Sequence, residues 1–183
     1  NAPSLIPNPS FEVMDCCPNS YSQLNCAQSW TQATTATSDY QNTQCFTMPA
    51  VTLPPPDGNG FVGAIFSEGW QEYVGACLSQ PMVAGNEYEL NMQIHATLIT
   101  GQGGACGAPN FPAIDITIFG NPGCNELPYT TTGCPGGNWQ AMGSVNYDPS
   151  NIWAPISITF TPTVNISAVM IGSPCTLPGG YSA

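Results

Sequence analysis

Glu87-Tyr88-Glu89-Leu90-Asn91-Met92-Gln93-Ile94-His95-Ala96-Thr97 is the stretch that decides the fold. Tyr88, Leu90, Met92, Ile94 and Ala96 alternate with Glu87, Glu89, Asn91, Gln93 and His95. A period of two puts each set on its own side of a pleated strand, so the segment predicts a strand with one buried and one wet face. Outward from it, residues 113–119 repeat the pattern with Ile114, Ile116 and Ile118 inward. Ile156, Ile158 and Phe160 do so again, and Ile166, Ala168 and Met170 follow across a Thr161-Pro162-Thr163 turn. Residues 61–66 and 73–78 are shorter apolar runs suited to sheet interiors. No useful window carries a 3.6 period, and proline interrupts most candidates. Gly, Pro and Asn punctuate long loops at 49–60, 101–112, 121–138 and 147–155. The expectation is one all-β domain over residues 1–183, an antiparallel jelly-roll β-sandwich with long disulfide-tied loops.

None of the 183 residues is lysine or arginine, while 11 are Asp or Glu and one is His, a formal net charge of −11. No Lys or Arg salt bridge can form inside this fold. Each acid must be solvated, hydrogen-bonded or bound to a metal cation. Such a surface repels polyanions, which excludes DNA and RNA as partners. Nucleotide cofactors and anionic membrane surfaces fail for the same reason. No run of about eighteen apolar residues exists to insert into a membrane.

Nine cysteines stand at 16, 17, 26, 45, 77, 106, 124, 134 and 175. They lack the paired C-x-x-C and histidine spacing of a zinc site. Their density points to disulfides and an oxidising, extracytoplasmic compartment. Cys124 and Cys134 flank a Pro/Gly/Thr-rich loop and are the favoured local pair. Cys16 or Cys17 with Cys26 comes next, and Cys106 with Cys175 third. Cys77 lies in an apolar run and reads as a buried thiol. An odd count leaves one thiol free or partnered elsewhere. The chain opens like a secreted or cell-surface protein whose signal has been removed.

Leu5-Ile6-Pro7-Asn8-Pro9-Ser10-Phe11-Glu12 resembles the first strand of carbohydrate-binding-module-type (galactose-binding-like) jelly rolls, where a tryptophan follows a loop later, here Trp30. Residues 73–88, with Leu78, Ala84-Gly85 and Tyr88, look like the central hairpin of that family, and residues 153–171 are similar to its penultimate strands. Cys17-Pro18-Asn19-Ser20 after the first strand resembles domains in large secreted surface proteins of gliding bacteria, cargo of the type IX pathway. The resemblance implies a structural Ca²⁺ at Glu12, with Asp15 close by. It also implies a closing strand with an Asp-Asp or Asp-Asn pair, where this sequence has Gly179-Gly180-Tyr181-Ser182-Ala183. Either the sequence is a fragment, or another chain supplies that strand.

Each candidate site has a plainer alternative. Glu12 and Asp15 suit a hard cation that wants six to eight oxygens, or they simply accept hydrogen bonds from loop amides. Asp57-Gly58-Asn59-Gly60 reads as a turn. Trp70, Tyr129, Trp139 and Trp153 sit in or beside loops and supply the aromatics of a sugar platform, or plug those loops against the sandwich, while Trp30 reads as core. His95 falls on the wet side of its strand. Glu68 and Glu72 form a glycosidase-like pair only if a fold fixes their distance. With no nucleophile elbow and no cation for an oxyanion, no enzyme is expected. The expected function is a non-catalytic, extracellular structural or adhesive subunit of a surface assembly or filament. It would polymerise as a homopolymer by strand complementation, with residues 1–7 as the donor. The alternative is a carbohydrate-binding module for a neutral polysaccharide.

Overall fold

The computed structural model describes residues 3–49, 51, 53–96, 112–150, 152–179 and 181, and all that follows concerns these. Eleven strands run in chain order: β1 (Trp30–Gln32), β2 (Asp39–Asn42), β3 (Gly60–Gly63), β4 (Phe66–Ser67), β5 (Trp70–Gln71), β6 (Tyr73–Met82), β7 (Tyr88–Ile94), β8 (Ile114–Asn121), β9 (Gln140–Tyr147), β10 (Ala154–Phe160) and β11 (Ile166–Gly172). The one helical element described is a 3₁₀ turn at Leu24–Cys26. Every strand pair is antiparallel.

β1-β6-β11-β8-β9 form a five-stranded sheet, and three two-stranded units, β10-β7, β2-β3 and β4-β5, complete the fold. The core lies between the large sheet and the smaller units. Val74, Ala76, Ile118 and Val169 pack with Ile158 and Phe160 of β10, Leu90 and Met92 of β7, and Tyr40 of β2. The all-β sandwich expected from alternation is therefore the observed architecture. β7 shows why: Tyr88, Leu90 and Met92 stand opposite Phe160, Ile158 and Ile156, so the apolar sets of two strands meet on one face. Glu87, Glu89, Asn91 and Gln93 are exposed on the other. At Gly143 of β9, a Cβ would come within 2.9 Å of Ile158 and 3.1 Å of Phe160, so only glycine lets β9 lie this close to β10.

The hairpin expected at residues 73–88 is instead a crossing between sheets, because β6 pairs with β1 and β11 while β7 pairs with β10. Gly85, at φ +80°, turns the chain there, and Ala84 N–H donates to Asn165 Oδ1 at 2.9 Å. The expected first strand at residues 5–12 is also absent. Asn8 (φ 50°) and Phe11 (φ 61°) take left-handed conformations that no ladder accommodates. Nor do residues 3–7 project as a donor. Ser79 N–H and Oγ–H both donate to Leu5 O, at 2.9 and 3.0 Å, and Ile6 is buried in its own core.

Four disulfides join Cys16–Cys26, Cys17–Cys45, Cys77–Cys124 and Cys134–Cys175. The first agrees with one of the expected alternatives. The expected Cys124–Cys134 pair is corrected, as is the buried thiol at Cys77. Cys77 faces outward on β6 opposite Ala168 of β11, whose other neighbour is Asn121, so a bridge to Cys124 staples strands across β11. Cys134 then reaches Cys175 beyond β11, which displaces the expected Cys106–Cys175 pair. Cys106 itself lies outside the described residues. Four bridges are the chemistry of an oxidising compartment. No described helix is long and apolar enough to cross a membrane.

Candidate functional site

Between the layers lies a cleft of about 970 Å³. Its floor is a sheet face: from β8 only the alternate residues Ile114, Ile116 and Ile118 reach it. Its walls are different. Every residue from Phe61 to Phe66 lines it on one side, and every residue from Glu87 to Ala96 on the other. Consecutive residues border a space only where a strand turns its edge toward it, since a face would contribute every second one. Among the described residues β3 pairs only with β2, and β7 only with β10. Two strand edges without a pairing strand among the described residues thus flank an apolar floor.

Trp153 stands at one end of this space, edge-on to Phe61 (6.1 Å between ring centroids) and tilted over His95 (5.5 Å). Its Nε1 is buried and finds no acceptor. Two acids stand at the wall. Asp39 of β2 is 5% exposed and lines the cleft beside Gln41. Among the described residues its carboxylate accepts one hydrogen bond, from Ser22 N–H, and burial holds its pKa above the usual carboxylate range. Glu72, 2% exposed, lies behind the wall. It accepts Ile65 N–H at 2.8 Å and Trp70 Nε1–H at 3.0 Å, and so holds the β4-β5 ribbon and the cleft residue Ile65 in place. Burial pushes its pKa up to about 7, opposed by these hydrogen bonds, while the charge of Asp39 pushes it further up. Three further acids show how the chain manages without cations. Glu126 accepts Asn121 and Asn138 amides at 2.8 and 2.5 Å, Asp115 accepts Asn146 at 2.9 Å, and Glu89 accepts Ser157 Oγ–H at 2.7 Å.

The expected site residues do not converge here. Glu12 Oε1 accepts Asn59 N–H at 2.8 Å and Gly60 N–H at 2.6 Å, latching the 57–60 turn. That turn requires Gly58, at φ +64°, where any Cβ would collide with the Glu12 carboxylate. The rest of the motif is equally structural. Asn8 Nδ2–H donates to Val13 O and Gln28 O, Trp30 Nε1–H donates to Asn8 O, and Phe11 packs on Trp30 at 4.5 Å. Asp15 is exposed and accepts only Gln28 Nε2–H, at 3.3 Å. Among the described residues no three Asp, Glu, His or Cys side chains converge, at Glu12 and Asp15 or elsewhere.

The aromatic set is dispersed as well. Trp139 is buried with Tyr73, Phe119 and Met170, and Tyr129 packs on the same cluster, so neither is a platform. Trp70 is exposed, and Trp153 belongs to the cleft. His95 is half-buried under Trp153 rather than fully wet. Glu68 is exposed and Glu72 buried, each with a different environment. Asp39 was missed from sequence. Its strand, Asp-Tyr-Gln-Asn, is mostly polar yet wholly buried, and no period marks it.

No protein-family model matches the chain, and no curated protein matches it. Among solved structures, the chain is similar to the Stig cyclase Fisc from Fischerella sp. TAU, solved in complex with (3Z)-3-(1-methyl-2-pyrrolidinylidene)-3H-indole. The identity is 12% and the TM-score 0.50, over 93% of this chain and 87% of that one. At this identity the likeness carries the fold alone, a β-sandwich.

Proposed function

We propose that this protein is a non-catalytic, extracellular structural or adhesive subunit of a surface assembly, which takes an extended strand of a neighbouring chain into its cleft. The observation that carries the reading is that the edges of β3 and β7 over an apolar floor have no pairing strand among the described residues. An inserted strand gains backbone hydrogen bonds on both sides and places alternate side chains on Ile114, Ile116 and Ile118. The four disulfides support life outside the cytoplasm.

Filling the cleft tests the reading. Ala64→Trp places an indole where the strand would lie. The variant should remain a folded, disulfide-bonded monomer but fail to enter the native surface particle. Normal incorporation of that variant, seen by affinity recovery of the particle, would refute strand insertion.

A second reading rests on the volume alone. A cleft of about 970 Å³ is in the range that holds a small apolar molecule, as the Stig cyclase does in its complex. Such a ligand leaves the β3 and β7 edge amides unpaired, whereas a strand protects them from hydrogen exchange. Of Trp70, Tyr129, Trp139 and Trp153, the carbohydrate-binding alternative retains Trp70 as an exposed ring.

A further inference from the structure

The cleft also carries information about what enters it. Its wall holds Asp39, a carboxylate buried to 5% exposure with a single hydrogen bond, and Glu72 lies within electrostatic reach behind it. Anions buried without a positive counterpart are costly, and neighbouring anions raise that cost. Glu12, Glu72 and Glu126 each accept two hydrogen bonds, whereas among the described residues the buried Asp39 carboxylate accepts one, from a backbone N–H. Residues 1–183 contain no lysine or arginine at all, so these residues of a second copy have none to offer. We infer that the strand entering the cleft belongs to a different protein and carries a Lys or Arg that pairs with Asp39, its alternate apolar side chains resting on the β8 floor. This rests on the strand-insertion reading and adds the partner's chemistry to it. It also replaces the homopolymer expected from sequence with a heteromeric contact. A chain at −11 approaching its own copy meets repulsion on all sides, whereas a basic segment is drawn to it.

The test uses the full chain and three fluorescently labelled octapeptides of one alternating Val/Ser framework. They differ at a single central outward position: lysine, methionine or glutamate. Binding is read by anisotropy in 0.5 M NaCl, where attraction to surface charge is screened. The lysine peptide should bind at least about ten-fold tighter than the methionine peptide, the scale of one charge-assisted hydrogen bond, and the glutamate peptide weakest. Asp39→Asn keeps an oxygen for Ser22 N–H and should erase the lysine preference. Glu68→Gln, at an exposed acid outside the cleft lining, should leave it intact. As a readout independent of any variant, the preference is also followed in wild type across pH, with Glu87, Glu89 and His95 the other carboxyl and imidazole side chains lining the cleft; it should fade as Asp39 is protonated. Equal binding of lysine and methionine peptides overturns the basic partner while leaving strand insertion standing. If no peptide binds and β3 and β7 amides gain no exchange protection, strand insertion itself fails. Self-association into dimers with protected β7 amides would overturn the heteromeric assignment.

Discussion

Replacing Glu72 by glutamine should flatten the pH dependence of this protein's stability. Glu72 is 2% exposed, faces no cation, and titrates at about 7 in the fold against 4.5 for a free glutamate. A raised value means that the fold prefers the neutral acid. Below about pH 4.5 both folded and unfolded chains hold the proton, and the full contribution is present. As pH climbs, the unfolded chain ionises first, and stability drains away until the folded carboxyl ionises near pH 7. The difference of about 2.5 pKa units corresponds to about 3 kcal/mol, a large part of a typical domain's stability. Asp39, raised for the same reason, adds loss of the same sign, which persists in the variant. Urea unfolding at intervals from pH 4.5 to 8.5 measures the effect. Wild type should lose about 3 kcal/mol more than Glu72→Gln across that span. If both lose the same amount, Glu72 is solvated in the folded chain and the buried-acid account of this wall is wrong.

Two further expectations follow from contacts already described. Glu12→Ala strands the Asn59 and Gly60 amides and should cost about 1–3 kcal/mol by urea unfolding, with no change in the effect on adding chelator. Removing the Cys77–Cys124 bridge by double substitution to serine opens a 47-residue separation. It should cost about 4 kcal/mol by chain entropy, visible as a lower midpoint in the same assay; an unchanged midpoint would mean that β11 needs no staple.

Much of the sandwich was legible because β7 and β10 alternate cleanly, and one buried face leaves a signature of period two. β8 and β11 are buried on both faces, and on β11 Val169 packs in the main core while Ala168 and Met170, expected inward, join Trp139 on the opposite face. β2 and β9 left none. Asp39–Asn42 is buried on both faces despite three polar side chains, and Gln140–Tyr147 breaks its pattern with Gly143. Disulfide partners were illegible except where they were local, since Cys77 and Cys124 meet only through the neighbours of β11. The Asn8–Glu12 motif and Trp30 come together as a knot that shapes a turn. The cleft could not be read directly. Alternation says which side chains face inward; it does not say which strand edges remain unpaired.

Bare ribbons are a hazard as well as a socket, because any extended peptide can stack on them and seed fibrous growth. The charge of −11 then acts as a gatekeeper that holds identical molecules apart. Near the isoelectric point of about 4.1 that guard vanishes, while Glu72 makes each individual molecule sturdier. Acid should therefore yield a protein that resists unfolding yet clumps, with colloidal and conformational robustness pulling in opposite directions.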